Sequence, residues 1–272
     1  MGLLEAIVLG IVQGLTEFLP ISSSAHQRIV ASIAGWEDPG AAFTAVTQLG
    51  TEAAVLLYFR HELWKVVTTF LRALRDPALR RDPNAILGWY IIVATIPIGV
   101  LGFLFKDQIE TGARDLYLIG GALIVFGLIM GFADSQATLE RDIEHLDHRS
   151  GVLVGLAQSL ALIPGVSRSG ATMSAGLLLG MTRQAAARFS FFLAVPAVLA
   201  SGFFELVKGT DSGPADPWWA IVVATGLSFV IGYAVIAWLL RYVTHHSLRV
   251  FVGYRVGLGV LVLALAASGA IS

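Results

Sequence analysis

Six long apolar stretches dominate this sequence of 272 residues. About 20 apolar residues of helix cross a bilayer core of about 30 Å, and each stretch approaches that length. Of all residues, 56% are hydrophobic and only 14% are charged, so too little polar surface remains to cover a water-soluble core. We therefore predict an all-α integral membrane protein with spans at roughly 42–59, 86–105, 116–133, 189–207, 218–240 and 249–269.

Two further apolar stretches, 3–33 and 151–181, are each interrupted in the middle by proline and polar residues. The interruptions read LPISSS at 19–24 and PGVSRS at 164–169, and each half is too short to cross the membrane. Irregular backbone at membrane depth is tolerated only where protein buries it or where it lines a wet cavity. These stretches are predicted to be re-entrant helical hairpins whose breaks line a cavity.

The two halves of the chain repeat one another. Residues of the same type recur at shifts of 144 to 146, in the pairs Pro20/Pro164, Ser23/Ser167, Gln13/Gln158 and Phe43/Phe189. Each half contains one hairpin and three spans, and because three is odd the second half begins on the opposite side of the membrane. The pattern predicts two inverted repeats, at 1–134 and 151–272, joined by a polar cytoplasmic linker at 135–150.

The distribution of Lys and Arg predicts the orientation, because short cytoplasmic loops are enriched in both. One predicted side holds twelve of them, and the other holds only Lys106, Arg114 and Lys208. We expect a multi-pass protein of the plasma membrane with both termini and the mouth of the cavity outside the cytoplasm. The twelve are Arg60, Lys65, Arg72, Arg75, Arg80, Arg81, Arg141, Arg149, Arg183, Arg188, Arg241 and Arg249.

Arg168 is a fixed positive charge inside the second break, where a charge costs at least about 2.5–3.5 kcal/mol. The helix that restarts at this break presents free N–H groups, which favour an anion. Hydroxyls and small residues surround the arginine, so the segment is typical of a phosphate-binding site. The predicted phosphate ligands in this segment are Ser167, Ser169, Gly170 and Thr172.

The first break has the opposite character. Gln13 and Glu17 share one helix face, three serines follow Pro20, and His26 falls in the first turn of the next helix. An acid, hydroxyls and an imidazole opposite an arginine form a set suited to phosphoryl transfer. The predicted catalytic residues are Glu17, Ser23, His26 and Arg168, with Gln13 and Ser22 as further phosphate ligands.

Several simpler interpretations compete with these roles. Arg168 can form a structural salt bridge, with Glu17 as one partner, and serines often only cap helices. Arg28 and Glu205 can reach the membrane interface, while Glu52 can pair with Gln48 or Arg255. A secondary transporter or a lipid-phosphate flippase is an alternative function, because inverted repeats and broken helices are typical of transporters.

Some classes of function are excluded by composition. The net charge of −1 argues against nucleic acid as a partner, because nucleic-acid binders concentrate Lys and Arg. The absence of cysteine excludes disulfides, thiolate metal sites and a cysteine nucleophile. Glu5, near the start, stands where a signal peptide would carry positive charge, so we interpret the beginning as mature sequence.

The two interrupted segments, QGLTEFLPISSSAH at 13–26 and PGVSRSGAT at 164–172, resemble the two signatures of the undecaprenyl-diphosphate phosphatase (bacitracin-resistance) family. Similarity continues through 189–196 and Tyr254-Arg255, so it covers nearly the whole chain. The resemblance implies a membrane hydrolase that converts a polyprenyl diphosphate to the monophosphate carrier lipid and inorganic phosphate, as in carrier recycling for cell wall biogenesis. It also implies a fold of inverted repeats with re-entrant hairpins.

By the same resemblance, Glu17 is the essential acid, Ser23 the nucleophile or the hydroxyl that positions it, His26 an acid/base or alternative nucleophile, and Arg168 the phosphate ligand. A divalent cation, Mg²⁺ or Ca²⁺, is the implied cofactor. Many members carry a second glutamate where this chain has Gln13. Glu17 and the substrate phosphates are therefore the expected metal ligands. The expected partners are the lipid substrate and membrane lipids, with a homodimer as one option.

Overall fold

The computed structural model describes residues 1–111, 115–212 and 217–271, and these residues form a helical protein. Short 3₁₀ turns at Pro77–Arg81, Ile143–His145 and Leu160–Leu162 link some of the α-helices. The α-helices are α1 (Leu3–Thr16), α2 (Ser23–Ala34), α3 (Gly40–Tyr58), α4 (Arg60–Ala73), α5 (Pro83–Leu104), α6 (Lys106–Thr111), α7 (Leu116–Gln136), α8 (His148–Ser159), α9 (Arg168–Leu178), α10 (Arg183–Ser212), α11 (Trp218–His245) and α12 (Arg249–Ala267).

Six of the described helices are long and apolar enough to cross a membrane, and they coincide with the six predicted spans. They are α3, α5, α7, α10, α11 and α12. The fold class, an all-α protein of the membrane, is confirmed. Of the charges that predict the orientation, Arg114 and the side chain of Lys208 lie outside the described residues.

Both interrupted stretches form pairs of short helices, α1 with α2 and α8 with α9. The residues that precede α2 and α9, Ser22 and Ser167, have φ angles of 75° and 72°, a region that L-residues seldom adopt. These two serines correspond at a shift of 145 residues. The sequence matches Ser23 with Ser167 at a shift of 144, whereas the two residues with this cap geometry, Ser22 and Ser167, are 145 residues apart.

The polar linker is slightly shorter than predicted, because α7 continues to Gln136 and α8 already begins at His148. Asp147 caps α8 by accepting the Ser150 N–H at 2.7 Å. The side chain and main chain of Ser150 hold the pKa of Asp147 at about 2, so the cap stays ionised at neutral pH. Asp134, at the end of α7, forms an ion pair of 2.6 Å with Arg183 of α10.

The spans α3 and α10 pack against each other in opposite directions. Gly202 of α10 lies against Leu49 near the middle of α3, whereas Phe192, earlier in α10, packs on Phe59 at the end of α3, with ring centroids 5.1 Å apart. α3 and α10 follow the first and second hairpins respectively, and the two breaks meet inside the bundle, where the Gly165 N–H donates to the Ser22 hydroxyl.

Gly50 is the point of closest approach between α3 and α11. A Cβ atom at this position would lie 2.2 Å from the Thr225 carbonyl oxygen and 2.3 Å from the Ser228 hydroxyl. No rotamer change relieves a clash with a backbone atom, so only glycine fits here. Close approach at small residues is a common way for helices to associate in membranes.

The change Gly50→Ala should lower the free energy of unfolding by about 1–3 kcal/mol, because α3 and α11 must move apart. The loss is measurable as a lower midpoint of thermal unfolding in detergent. Gly253→Ala is the control: a Cβ there meets nothing within 4 Å, so alanine should leave the midpoint unchanged or raise it slightly. Equal midpoints for both variants would contradict the proposed close contact.

Candidate active site

A cavity of about 500 Å³ opens between the two helix breaks and the spans α3, α5 and α10. Five of the ten predicted site residues line it: Glu17, Ser22, Ser23, Ser167 and Arg168. The other five, Gln13, His26, Ser169, Gly170 and Thr172, are buried and are not among the lining residues. The structure thus brings the acid, the hydroxyls and the arginine together and places the remaining residues behind them.

Glu17 is the centre of the site. One carboxylate oxygen forms an ion pair of 2.5 Å with Nη2 of Arg168 from the opposite break. The other oxygen accepts the Ser23 hydroxyl at 2.6 Å and Nε2 of Gln13 at 2.8 Å. The salt bridge that the sequence left open is therefore present. Because both partners also line the cavity, the pair is accessible to a ligand.

A chain of amides and hydroxyls holds Gln13 in place. Nε2 of Gln27 donates to Oε1 of Gln13 at 2.7 Å, and the Thr44 hydroxyl donates to Oε1 of Gln27 at 3.0 Å. With its oxygen occupied, Gln13 presents its amide nitrogen to Glu17, so it acts as a donor. A glutamate could not donate in this way. Gln27 and Thr44 were missed from the sequence, because only packing of α1, α2 and α3 brings them together.

Arg255 ties the two breaks to each other from behind the cavity. This arginine of α12 is fully buried, and its guanidinium donates to the carbonyl oxygens of Pro20 at 3.0 Å, Gly165 at 2.8 Å and Val166 at 3.0 Å. The sequence suggested Glu52 as a partner of Arg255, and this pairing is wrong. The charge of Arg255 instead satisfies carbonyl groups that the broken helices leave without helical partners.

Further hydrogen bonds join the breaks directly. The Gly165 N–H donates to the Ser22 hydroxyl at 3.2 Å, and the Ser169 hydroxyl donates to the Leu19 carbonyl oxygen at 3.0 Å. Gly165 has a φ of 95°, and a Cβ would lie 2.8 Å from the Ile119 carbonyl oxygen, so glycine is required. Ser169 therefore connects the two breaks, whereas the sequence suggested that it binds phosphate.

His26 lies one layer away from the cavity. Its Nδ1 is 2.7 Å from the Ser22 carbonyl oxygen, and its Nε2 is 2.7 Å from the Tyr254 hydroxyl, whose ring stacks on the imidazole. In the neutral imidazole, Nδ1–H donates to Ser22 and Nε2 accepts the tyrosine hydrogen. Both nitrogens are thus occupied, and the geometry favours a role in holding the Ser22 turn.

The remaining predicted phosphate ligands support Arg168. The Ser167 hydroxyl caps α9 by accepting the Gly170 N–H at 3.1 Å. The Thr172 hydroxyl lies 2.8 Å from the Arg168 carbonyl oxygen and 2.7 Å from the Ser190 hydroxyl. Both residues fix the first turn of α9, which directs the Arg168 side chain toward Glu17.

Two side chains of α3 extend the site. Gln48 lines the cavity, and its Nε2 is 3.4 Å from Glu17. Glu52, one helical turn further, is 1% exposed, and its Oε1 has no hydrogen-bond partner among the residues that the structure describes. The suggested pairing of Glu52 with Gln48 or Arg255 is therefore wrong. In the described ranges no group of three or more His, Cys, Asp or Glu side chains could hold a metal ion.

The cavity suits an anion attached to an apolar chain. At its inner end, the N-termini of α2 and α9 converge, and the first turn of each has N–H groups without acceptors in its own helix. Arg168 adds a full positive charge there. Toward the mouth the lining becomes largely apolar, with Ile98, Phe103, Val198 and Phe204 among the lining residues.

This fold and this site define a membrane protein with an amphiphile-binding cavity between two broken helices. Residues 6–261 match the family described as bacitracin resistance protein BacA, and the chain belongs to that family. It is 56% identical to "Undecaprenyl-diphosphatase 2" of Frankia casuarinae, over 100% of this chain and 97% of the relative. It is 54% identical to "Undecaprenyl-diphosphatase" of a Nocardioides species, over 99% of this chain and 98% of the relative. It is 52% identical to "Undecaprenyl-diphosphatase 2" of Streptomyces avermitilis, over 98% of this chain and 96% of the relative.

The change Arg255→Gln should lower the free energy of unfolding by about 3 kcal/mol or more, because several buried carbonyl groups lose a charged donor. The measurement is thermal unfolding in detergent, followed by tryptophan fluorescence. Arg249→Gln, at the exposed start of α12, is the matched control and should leave the midpoint unchanged. A normal midpoint for Arg255→Gln would contradict the linking role of this arginine.

Proposed function

We propose that this protein is a membrane hydrolase that converts undecaprenyl diphosphate to undecaprenyl monophosphate and inorganic phosphate. The names of the relatives support the reaction, because the identity of 50–56% extends over nearly the full length of both chains. The geometry that carries the proposal is the position of Glu17 between the Ser23 hydroxyl and the Arg168 guanidinium, within one cavity. Nucleophile, base and anion ligand then lie within reach of one phosphoryl group.

In the proposed reaction, the terminal phosphate of the substrate enters between the N-termini of α2 and α9. It replaces Glu17 as the ion-pair partner of Arg168. Glu17 loses its counter-ion and accepts the Ser23 proton while Oγ attacks the terminal phosphorus in line. The bond from that phosphorus to the bridging oxygen breaks, and the polyprenyl monophosphate leaves. Water then attacks the phosphoserine: the proton on Glu17 passes to Oγ as the bond from Oγ to phosphorus breaks, and Glu17 accepts a proton from the water. Inorganic phosphate leaves, and Glu17 releases its proton to solvent.

A divalent cation fits this site only together with the substrate. Glu17 is the carboxylate that lines the cavity at the helix breaks, and Gln48 lies beside it with its amide nitrogen toward Glu17, so a rotation of the amide would present its oxygen to an ion. Mg²⁺ is usually bound by one or two carboxylates and the phosphates of the substrate, so Glu17 and Gln48 would hold it jointly with the diphosphate. The ion would supply charge neutralisation on the phosphate oxygens.

The proposed topology is an inverted repeat in the plasma membrane. It is supported by the matching caps Ser22 and Ser167 and by the antiparallel packing of α3 and α10. The excess of Lys and Arg at the end away from the cavity supports a cavity open to the outer side. A secondary transporter or flippase remains the second candidate, supported by the same paired broken helices.

The change Ser23→Ala should lower the rate constant of phosphate release from undecaprenyl diphosphate in detergent by at least about 10³-fold, because no oxygen nucleophile remains beside Glu17. Ser201→Ala is the matched control: Ser201 also lines the cavity, but its hydroxyl donates to the Val198 carbonyl oxygen. Its activity should remain within about twofold. Near wild-type release by Ser23→Ala would exclude Ser23 as nucleophile.

Arg168→Ala should lower kcat/KM for the same substrate by at least about 10²-fold, because the transferring phosphate loses its charged ligand. Arg168→Lys should recover part of the loss, since it keeps the charge without the fork of donors.

Detergent removes any gradient, so wild-type phosphate release there distinguishes the hydrolase from a transporter. If the folded wild-type protein released no phosphate from undecaprenyl diphosphate, the proposed function would be wrong.

A chelator should abolish phosphate release while leaving the thermal unfolding midpoint of the substrate-free protein unchanged. The reason is that the protein alone offers one carboxylate at the site, so the ion contributes little to folding. Phosphate release and the unfolding midpoint are measured in parallel with and without chelator. Mg²⁺ is then added back to test whether phosphate release recovers. A lowered midpoint would indicate instead a resident ion held by the protein.

A further inference from the structure

A second cavity, of about 280 Å³, shares the spans α3 and α10 with the first cavity and lies at the opposite ends of these two helices. It lies between the end of α3, the start of α4, the start of α10 and the end of α11, and its charged lining residues are Glu62, Arg188 and Arg241. Along α3 the nearest lining residues of the two cavities, Gln48 and Tyr58, are ten residues apart, which is about 15 Å of helix at a rise of about 1.5 Å per residue. The second cavity therefore faces the other side of the membrane.

Its lining carries a net positive charge. Arg188 is paired with Glu62, while its Nε is buried and has no hydrogen-bond partner within the described ranges. Arg241 is exposed and forms no hydrogen bond or ion pair with the part of the chain that the structure describes. The side chains of Tyr58, Gln184 and Thr244 add further polar groups. The Arg241 guanidinium has no described partner, and the Arg188 guanidinium can exchange Glu62 for another anion. Together they form a site suited to a dianion.

The helix beside this cavity indicates the depth at which it opens. α4 exposes Trp64, Val67 and Leu71 on one face, and Trp64 is 70% exposed. Basic residues such as Lys65 and Arg72 occur in the same helix. An amphipathic helix of this kind lies in the plane of the membrane interface. Since α4 begins next to the cavity, the cavity opens at the level of the lipid headgroups.

We propose that this second cavity binds a phosphate monoester group at the headgroup level of the membrane face opposite the catalytic cavity. Arg241 and Arg188 are the ligands, and Glu62 is the group that the phosphate displaces from Arg188. A prenyl monophosphate, another lipid phosphate monoester and free inorganic phosphate share this chemistry. The inference does not depend on the hydrolase activity, because binding here is measured separately from phosphate release.

The test uses the full-length protein carrying Arg168→Ala, which disables the phosphate ligand of the catalytic cavity. Native mass spectrometry and thermal unfolding are recorded with undecaprenyl phosphate, with dioleoyl phosphatidic acid, with undecaprenol and with inorganic phosphate. We expect undecaprenyl phosphate to bind and the uncharged undecaprenol to bind at least about tenfold more weakly. Binding of phosphatidic acid identifies the monoester headgroup as sufficient, and competition by inorganic phosphate supports the same chemistry without a lipid chain.

Three variants in that background locate the site. Arg241→Gln should weaken binding of undecaprenyl phosphate by about tenfold or more, because a charged donor is lost. Glu62→Gln should strengthen binding, since Arg188 no longer has a competing carboxylate. Arg249→Gln, an exposed arginine near the same end of the bundle but absent from the lining, is the control and should change affinity less than twofold.

The proposal is wrong if Arg241→Gln binds undecaprenyl phosphate as tightly as the control, or if undecaprenol binds as well as its phosphate. Weaker binding by Glu62→Gln would also overturn it. Arg241 has no described partner to lose, so its variant should fold normally, which the unfolding midpoint verifies. With Arg168 restored, Arg241→Gln should release phosphate from undecaprenyl diphosphate within about twofold of wild type.

Discussion

The ion pair between Glu17 and Arg168 is the interaction on which the site depends. The two residues come from different helix breaks and meet at 2.5 Å in a region of low dielectric constant. A charge at this depth requires a partner, and a partner supplied by the other half of the chain couples the two hairpins. Both residues of the pair line the cavity, and in the proposed reaction a phosphate replaces Glu17 at Arg168. The contact that joins the two breaks is thus also the contact that the proposed phosphate ligand would use.

The two breaks share a backbone frame but differ in chemistry. Ser22 and Ser167 have nearly the same φ angle and precede equivalent helices. At the shift of 145 residues that they define, Ser23 corresponds to Arg168, and both side chains contact Glu17. Arg255, from outside both hairpins, holds the carbonyl groups of the two breaks. Two similar helix caps therefore present a hydroxyl from one break and a cation from the other.

Most of the fold was predictable because membrane spans are encoded locally. Length and hydropathy identified all six spans, and proline within polar clusters located both breaks. The exact helix ends and the register between the two halves were less well defined, since a repeated residue type does not fix register. Three serines follow Pro20, and the positive φ angle of Ser22 decided which of them matches Ser167. Local patterns give the elements, while backbone geometry gives their correspondence.

The sequence by itself determined that acid, hydroxyls and arginine occur at two breaks inside the membrane, because charges and prolines are rare in such surroundings. Only the tertiary structure decided which of them face the cavity. Gln13, His26, Ser169, Gly170 and Thr172 fitted the same pattern but are bound to neighbours behind it. The second cavity was equally hidden, since Glu62, Arg188 and Arg241 lie on three helices. Helix packing determines which residues that are distant along the chain come into contact, and a local sequence pattern holds no information about that packing.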